Sequence, residues 1–138
     1  MAKQTPLLIK SFNADAGLNS ANVCVVMSLT NAGNVTLPAA ALATKFVGVA
    51  LEGIPTGSVS TSIAIQVAGV AQIQTDGSLT ITAGDYLAIA NASGQIKTVV
   101  PATGAVVREL VGIALNSVAN TAGLLVDVLL QPMVYVGA

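Results

Sequence analysis

Between Ile63 and Gln74 the chain alternates without a break, and that alternation constrains the fold more than any other feature. Ile63, Ile65, Val67, Gly69, Ala71 and Ile73 fall on one side, while Ala64, Gln66, Ala68, Val70, Gln72 and Gln74 fall on the other. A period of two belongs to an extended strand, because a helix places neighbours three and four apart on one face. Gly69 marks a point where such a strand can bend.

The same pattern recurs on a shorter scale. Val23, Val25, Met27 and Leu29 alternate with Asn22, Cys24, Val26 and Ser28, and Val47, Val49 and Leu51 repeat the motif. Leu79 and Ile81 follow an Asp76-Gly77 turn, and Leu87 and Ile89 follow Ala83-Gly84-Asp85. Asn91-Ala-Ser-Gly94 reads as a hairpin connection into an extended segment over 96–100. Short strands at spacings near ten residues predict a mainly β, single-domain fold, a small barrel or sandwich. At most one or two short helices are expected, at Pro38–Ala43 with proline in the first turn and at Ser117–Gly123.

Two stretches look like copies. Phe46-Val-Gly-Val-Ala-Leu51 matches Leu110-Val-Gly-Ile-Ala-Leu115, and each leads through a Gly-containing loop into an apolar strand, from Ile63 and from Leu124. Reuse of a common β pattern accounts for the match in one way. A pseudo-repeat of β-loop-β units flanking the 79–100 hairpin region accounts for it in another, with the glycines permitting close strand crossing. The first 20 residues have no clear period and hold Lys3, Lys10 and Asp15. They divide the chain into an extended N-terminal arm (1–20) and a β-rich domain (21–138). The arm either frays or adds its short extended stretch, Leu7 to Phe12, to the sheet of a neighbouring subunit.

Composition narrows the function. Five Lys and Arg stand against six Asp and Glu, and histidine is absent. No basic surface exists to neutralise a run of phosphates, so nucleic acid is not an expected partner. The commonest general base and metal ligand is missing. No apolar run reaches the roughly 20 residues of a bilayer-spanning helix, and Lys10 interrupts the first apolar segment too early for a signal peptide. A folded monomer of this mass exposes about 6,600 Å², which leaves roughly one charge per 600 Å² against about 190 Å² for average composition. Such a surface suits a chain packed against other protein.

Candidate chemistry is sparse. Cys24 lies inside Val23-Cys-Val-Val-Met27 and reads as a buried structural thiol. The carboxylates are scattered, and Asp76 and Asp85 sit in turns where aspartate bonds its own backbone. No catalytic residue, cofactor or metal site is expected. Asp127 is the one charge inside the apolar 124–130 strand, and it calls for a partner: Arg108 or a lysine in the core, or a lysine across a subunit boundary.

Taken in order, Val47-Gly-Val-Ala-Leu51, Val67-Ala-Gly-Val-Ala71, Thr82-Ala-Gly-Asp85, Ser93-Gly94 and Val111-Gly-Ile-Ala-Leu115 form a series. From about Val23 to Gln131 it resembles the small head-decoration, or capsid cement, proteins of tailed bacteriophages. The resemblance implies a non-enzymatic virion protein on the outer capsid surface. It would form trimers or similar assemblies and bind neighbouring major capsid subunits once the shell expands. Leu7, Leu8, Ile9 and Phe12 are then candidate contact residues of the arm, with Asp127 a candidate at a subunit boundary. A tail-fibre or adhesin-type module that binds carbohydrate is the alternative, and it would need exposed aromatics.

Overall fold

A computed structural model of the chain describes residues 5–15, 18–40, 45–53, 62–99 and 107–136, with 5–7, 107–108 and 135–136 by backbone alone. These residues form nine strands: β1 (Thr5–Asn13), β2 (Val26–Leu29), β3 (Val35–Thr36), β4 (Phe46–Ala50), β5 (Ser62–Gln74), β6 (Tyr86–Ile89), β7 (Ile96–Thr98), β8 (Val107–Ala114) and β9 (Leu125–Val136). No helix occurs among the described residues. The strands make one curled antiparallel sheet in the order β3-β2-β4-β5-β9-β8-β6-β7, with β1 also paired to β5.

That order reads the same from both ends when β2 to β5 are exchanged for β6 to β9. The registers repeat as well. Val26, Met27 and Ser28 oppose Val49, Gly48 and Phe46, and Tyr86, Leu87 and Ala88 oppose Ile113, Gly112 and Leu110. Both ladders skip one residue just past the glycine, at Val47 and at Val111. Each hairpin then closes a five-membered ring of paired strands. Ala14 bridges Val35, with the Asp15 N–H donating to the Val35 carbonyl at 2.8 Å, and this returns the end of β1 to β3. Thr75 bridges Ile96, with the Asp76 N–H donating to the Ile96 carbonyl at 3.1 Å, and this returns the end of β5 to β7. The first ring is β1–β5, the second is β5–β9, and β5 belongs to both.

Each ring encloses its own apolar cluster. Met27, Val35, Ala50, Ile63 and Ile65 meet Ala14 and Leu18 in the first. Ala71, Ile73, Leu87, Ile89, Ile96, Val111 and Val126 lead the second. The period-two face of β5 is therefore divided between two cores. The change of hands falls across a bulge, where Leu8 opposes Ala68 and Ile9 opposes Gln66 so that Val67 is skipped, and Gly69 follows with a φ of 95°.

The predicted repeat of β4–β5 and β8–β9 is present and extends further than the V-G-V-A match. The 79–100 region does not lie between the two units, since β6 and β7 belong to the second and β2–β3 is their counterpart. Other expectations change as well. Ser117–Gly123 is not helical: Val118 and Ile81 exchange backbone hydrogen bonds of 2.9 and 3.1 Å, which holds the segment extended there. The Leu79–Ile81 strand shrinks to that same single bridge. Pro38–Ala40 is not helical, and 41–43 lie outside the described residues. The N-terminal segment is extended, but β1 pairs with β5 of its own chain from Thr5 opposite Val70 to Asn13 opposite Ser62.

The repeated glycines stand where strands cross most closely. A Cβ on Gly48 would fall on the carbonyl oxygen of Gln66, and one on Gly112 on that of Leu129. Gly48→Ala and Gly112→Ala should each lower the unfolding free energy in urea by about 1–3 kcal/mol, the usual cost of forcing atoms into a packed site. Gly33→Ala serves as the comparison. Its Cβ would meet nothing within 4 Å, so only the left-handed backbone conformation opposes it, at about 1–2 kcal/mol.

Candidate interaction surface

The outer faces of the two rings differ sharply in what covers them. Adjacent residues of a strand point to opposite sides, so Val26 and Val49 face away from the core that holds Met27 and Ala50. Both are nevertheless fully buried, within the cluster of the second ring. The β6–β7 turn sits on Val26, whose N–H donates to the Gly94 carbonyl at 2.8 Å. Glu109, at the start of β8, locks the same contact from the other end. Its two carboxylate oxygens accept the Lys45 N–H at 2.9 Å and the Phe46 N–H at 2.8 Å. Lys45 holds a left-handed φ of 65° that a non-glycine residue adopts only at a cost, and the carboxylate grips the backbone there.

Other apolar side chains face solvent. Tyr86, Leu115, Leu125 and Leu129 of the second ring, and Leu8 and Ile9 of β1, are all exposed. Tyr86 opposes Ile113, and Ile113 opposes Leu129, so these three form one cross-strand row. Asp127 lies on the same face of β9 as Leu125 and Leu129 and is only 2 % exposed. The partner the structure gives it is the Gln72 side-chain amide, donating at 3.2 Å, and its backbone N–H donates to the Asn116 side chain at 2.9 Å. The side chain of Arg108, one partner proposed for it, lies outside the described side chains, as does that of Leu7. Phe12 is half-buried, with the Lys10 ammonium 5.3 Å above its ring. The five sequence candidates thus do not form one patch: four lie along β1, and Asp127 lies on β9.

Five of the six carboxylates accept hydrogen bonds within the fold. Asp76 accepts from Ser78 and Asp85 from Thr82, as the turn sequences predict. Glu52 takes the Ala64 N–H, Glu109 the start of β4, and Asp127 the Gln72 amide. Cys24 is half-buried rather than buried, and its backbone has a left-handed φ of 56°. Its burial pushes the thiol above the ordinary range, away from the reactive thiolate. Among the described residues no group of three or more His, Cys, Asp or Glu is placed to hold a metal. No helix among them is long and apolar enough to cross a membrane. The exposed row was hidden in the sequence, because Tyr86, Ile113 and Leu129 come from three separate strands and meet only through register.

No protein-family model matches the chain, and comparison with curated proteins finds no match.

Two measurements test this account. Glu109→Ala leaves two backbone donors of a strained segment without their acceptor and should lower stability by about 1–3 kcal/mol in denaturant titration, with Glu109→Gln costing less. The Cys24 thiol should react slowly with iodoacetamide at neutral pH in the folded protein and at an ordinary rate in denaturant.

Proposed function

We propose that the protein is a non-enzymatic structural component of a tailed-phage virion. It binds the outer surface of the head and bridges neighbouring major capsid subunits, which stabilises the expanded shell against internal DNA pressure. The observation that carries this reading is the surface: large apolar side chains lie exposed on a chain with eleven charges in all. A surface of that kind is stable in water chiefly when another protein covers it. The order of short motifs from Val23 to Gln131, which resembles that of head-decoration proteins, supplies the identity of that partner.

The mechanism is mass action on a lattice. A protein that binds only the expanded arrangement of shell subunits stabilises that arrangement in proportion to its occupancy. Many weak contacts repeated over the shell, and joined within a trimer of this chain, give high avidity from modest individual affinities. No step of this work needs a titrating or nucleophilic group.

Purified protein should co-sediment with expanded heads of the phage that encodes it and not with unexpanded proheads, and heads carrying it should release their DNA at a higher temperature. Protein left in the supernatant with expanded heads sinks the proposal.

A further inference from the structure

The two rings carry matched rows on their outer faces, and the rows are covered unequally. In the first ring, pairing lines up Val26, Val49, Gln66 and Ile9 across four strands. In the second, the same pairings line up Tyr86, Ile113, Leu129 and Val70. Val26 and Val49, packed in the cluster of the second ring, and Gln66 are all 0 % exposed, and only Ile9 at the β1 end of that row reaches solvent. In the other row Tyr86 is 51 % and Leu129 38 % exposed, with Ile113 and Val70 half-buried between and beside them. The compositions run against exposure. The three buried positions include a glutamine, and the matching positions of the other row are exposed Tyr86, half-buried Ile113 and exposed Leu129. A face meant only for water should show the reverse.

The covering element is duplicated too. The turn seated on Val26 is that of β6–β7, closed by the Ala90 N–H donating to the Gln95 carbonyl at 2.7 Å. Its counterpart joins β2 to β3, closed by the Thr30 N–H donating to the Asn34 carbonyl at 2.8 Å. Both turns hold a left-handed glycine, Gly94 with φ 75° and Gly33 with φ 81°. They differ in surroundings. A Cβ on Gly94 would meet the Val26 carbonyl oxygen at 2.6 Å, and one on Gly33 would meet nothing within 4 Å. Among the described residues there is thus one seated pair of turn and row, one turn with open space at its glycine and one largely exposed row.

We propose that the row Tyr86–Ile113–Leu129 is the docking surface for the Gly33 turn of a second copy of this chain. The occupant follows from the seated pair, where the element lying on the matching row is a repeat of the same fold. The contact is head-to-tail, since turn and row are different surfaces at opposite ends of the repeat. Such contacts propagate from copy to copy until rotation closes a ring. The trimer in the proposed function is one such closure. The inference deepens that self-association and stands without the capsid.

Light scattering on the full chain tests it directly. The unsubstituted protein should give a mass that is a multiple of 13.7 kDa, and Leu129→Asp should give the monomer with an unchanged circular dichroism spectrum. Tyr86→Lys, at a more exposed position, makes the same test if Leu129→Asp fails to fold. Polarity is read by oxidative cross-linking of Ala32→Cys and Tyr86→Cys chains. A covalent dimer should form when the two are mixed, and not with either variant alone or with the unsubstituted chain. An unsubstituted monomer up to millimolar concentration, a folded row variant that still assembles, or cross-linking of Tyr86→Cys with itself would each overturn the proposal. A monomer that still pellets with expanded heads removes this inference and leaves capsid binding standing.

Discussion

One strand has to serve two cores, and the rest of the molecule is arranged around that requirement. β5 contributes Ile63 and Ile65 to the first cluster and Ala71 and Ile73 to the second. A regular strand would keep all four side chains in line. The bulge at Val67 and the left-handed Gly69 break the line and let the backbone pass from one ring to the next. A bulge also disturbs the ladder, and the side-chain amide of Gln66 donates to the Ala68 carbonyl at 3.1 Å and the Val70 carbonyl at 2.9 Å. Its own oxygen is buried with no hydrogen-bond partner among the described residues. Leaving such an acceptor bare costs about 1–3 kcal/mol, so the crossing of β5 is held at some expense in stability.

The repeat explains local oddities that look arbitrary when taken singly. The N–H of Cys24 donates to the Ala50 carbonyl at 2.9 Å, as that of Gly84 does to Ala114 at 2.8 Å, and the following residues receive the matching return bonds. Cys24 thus occupies with φ 56° a position that the second ring gives to a glycine with φ 96°. The bend is set by the sheet, and a side chain there tolerates it. The unusual backbone of Cys24 has a structural cause, and no nucleophilic role need be invoked for it.

The sequence reveals the parts of this fold that depend on short-range chemistry. Strict alternation fixes β5, and the paired V-G-V-A segments expose β4 and β8 because only glycine fits against the carbonyls of Gln66 and Leu129. The hairpin half of the repeat is harder to see. Asn31-Ala-Gly33 and Asn91-Ala-Ser-Gly94 differ by one inserted residue, although both turns end at a left-handed glycine. The partner of β1 is not legible at all, since two register shifts blur its pattern against β5. Ser117–Gly123 has the composition of a loop or short helix, and a tertiary bridge to Ile81 decides the matter. Asp127 signals that it needs a partner, but Gln72 emerges only from strand register.

The carboxylates of this protein serve its own fold. Glu52, Asp76, Asp85, Glu109 and Asp127 all accept bonds that hold turns, strand entries or a neighbouring side chain. A chain with eleven charged residues and a net charge of −1 has little charge with which to keep copies apart. Exposed apolar side chains on such a surface favour association. The few charges and the repeated rings then express one property. The fold builds its own first interface by pairing one repeat with the next, and it carries the unmatched halves of that interface at its two ends.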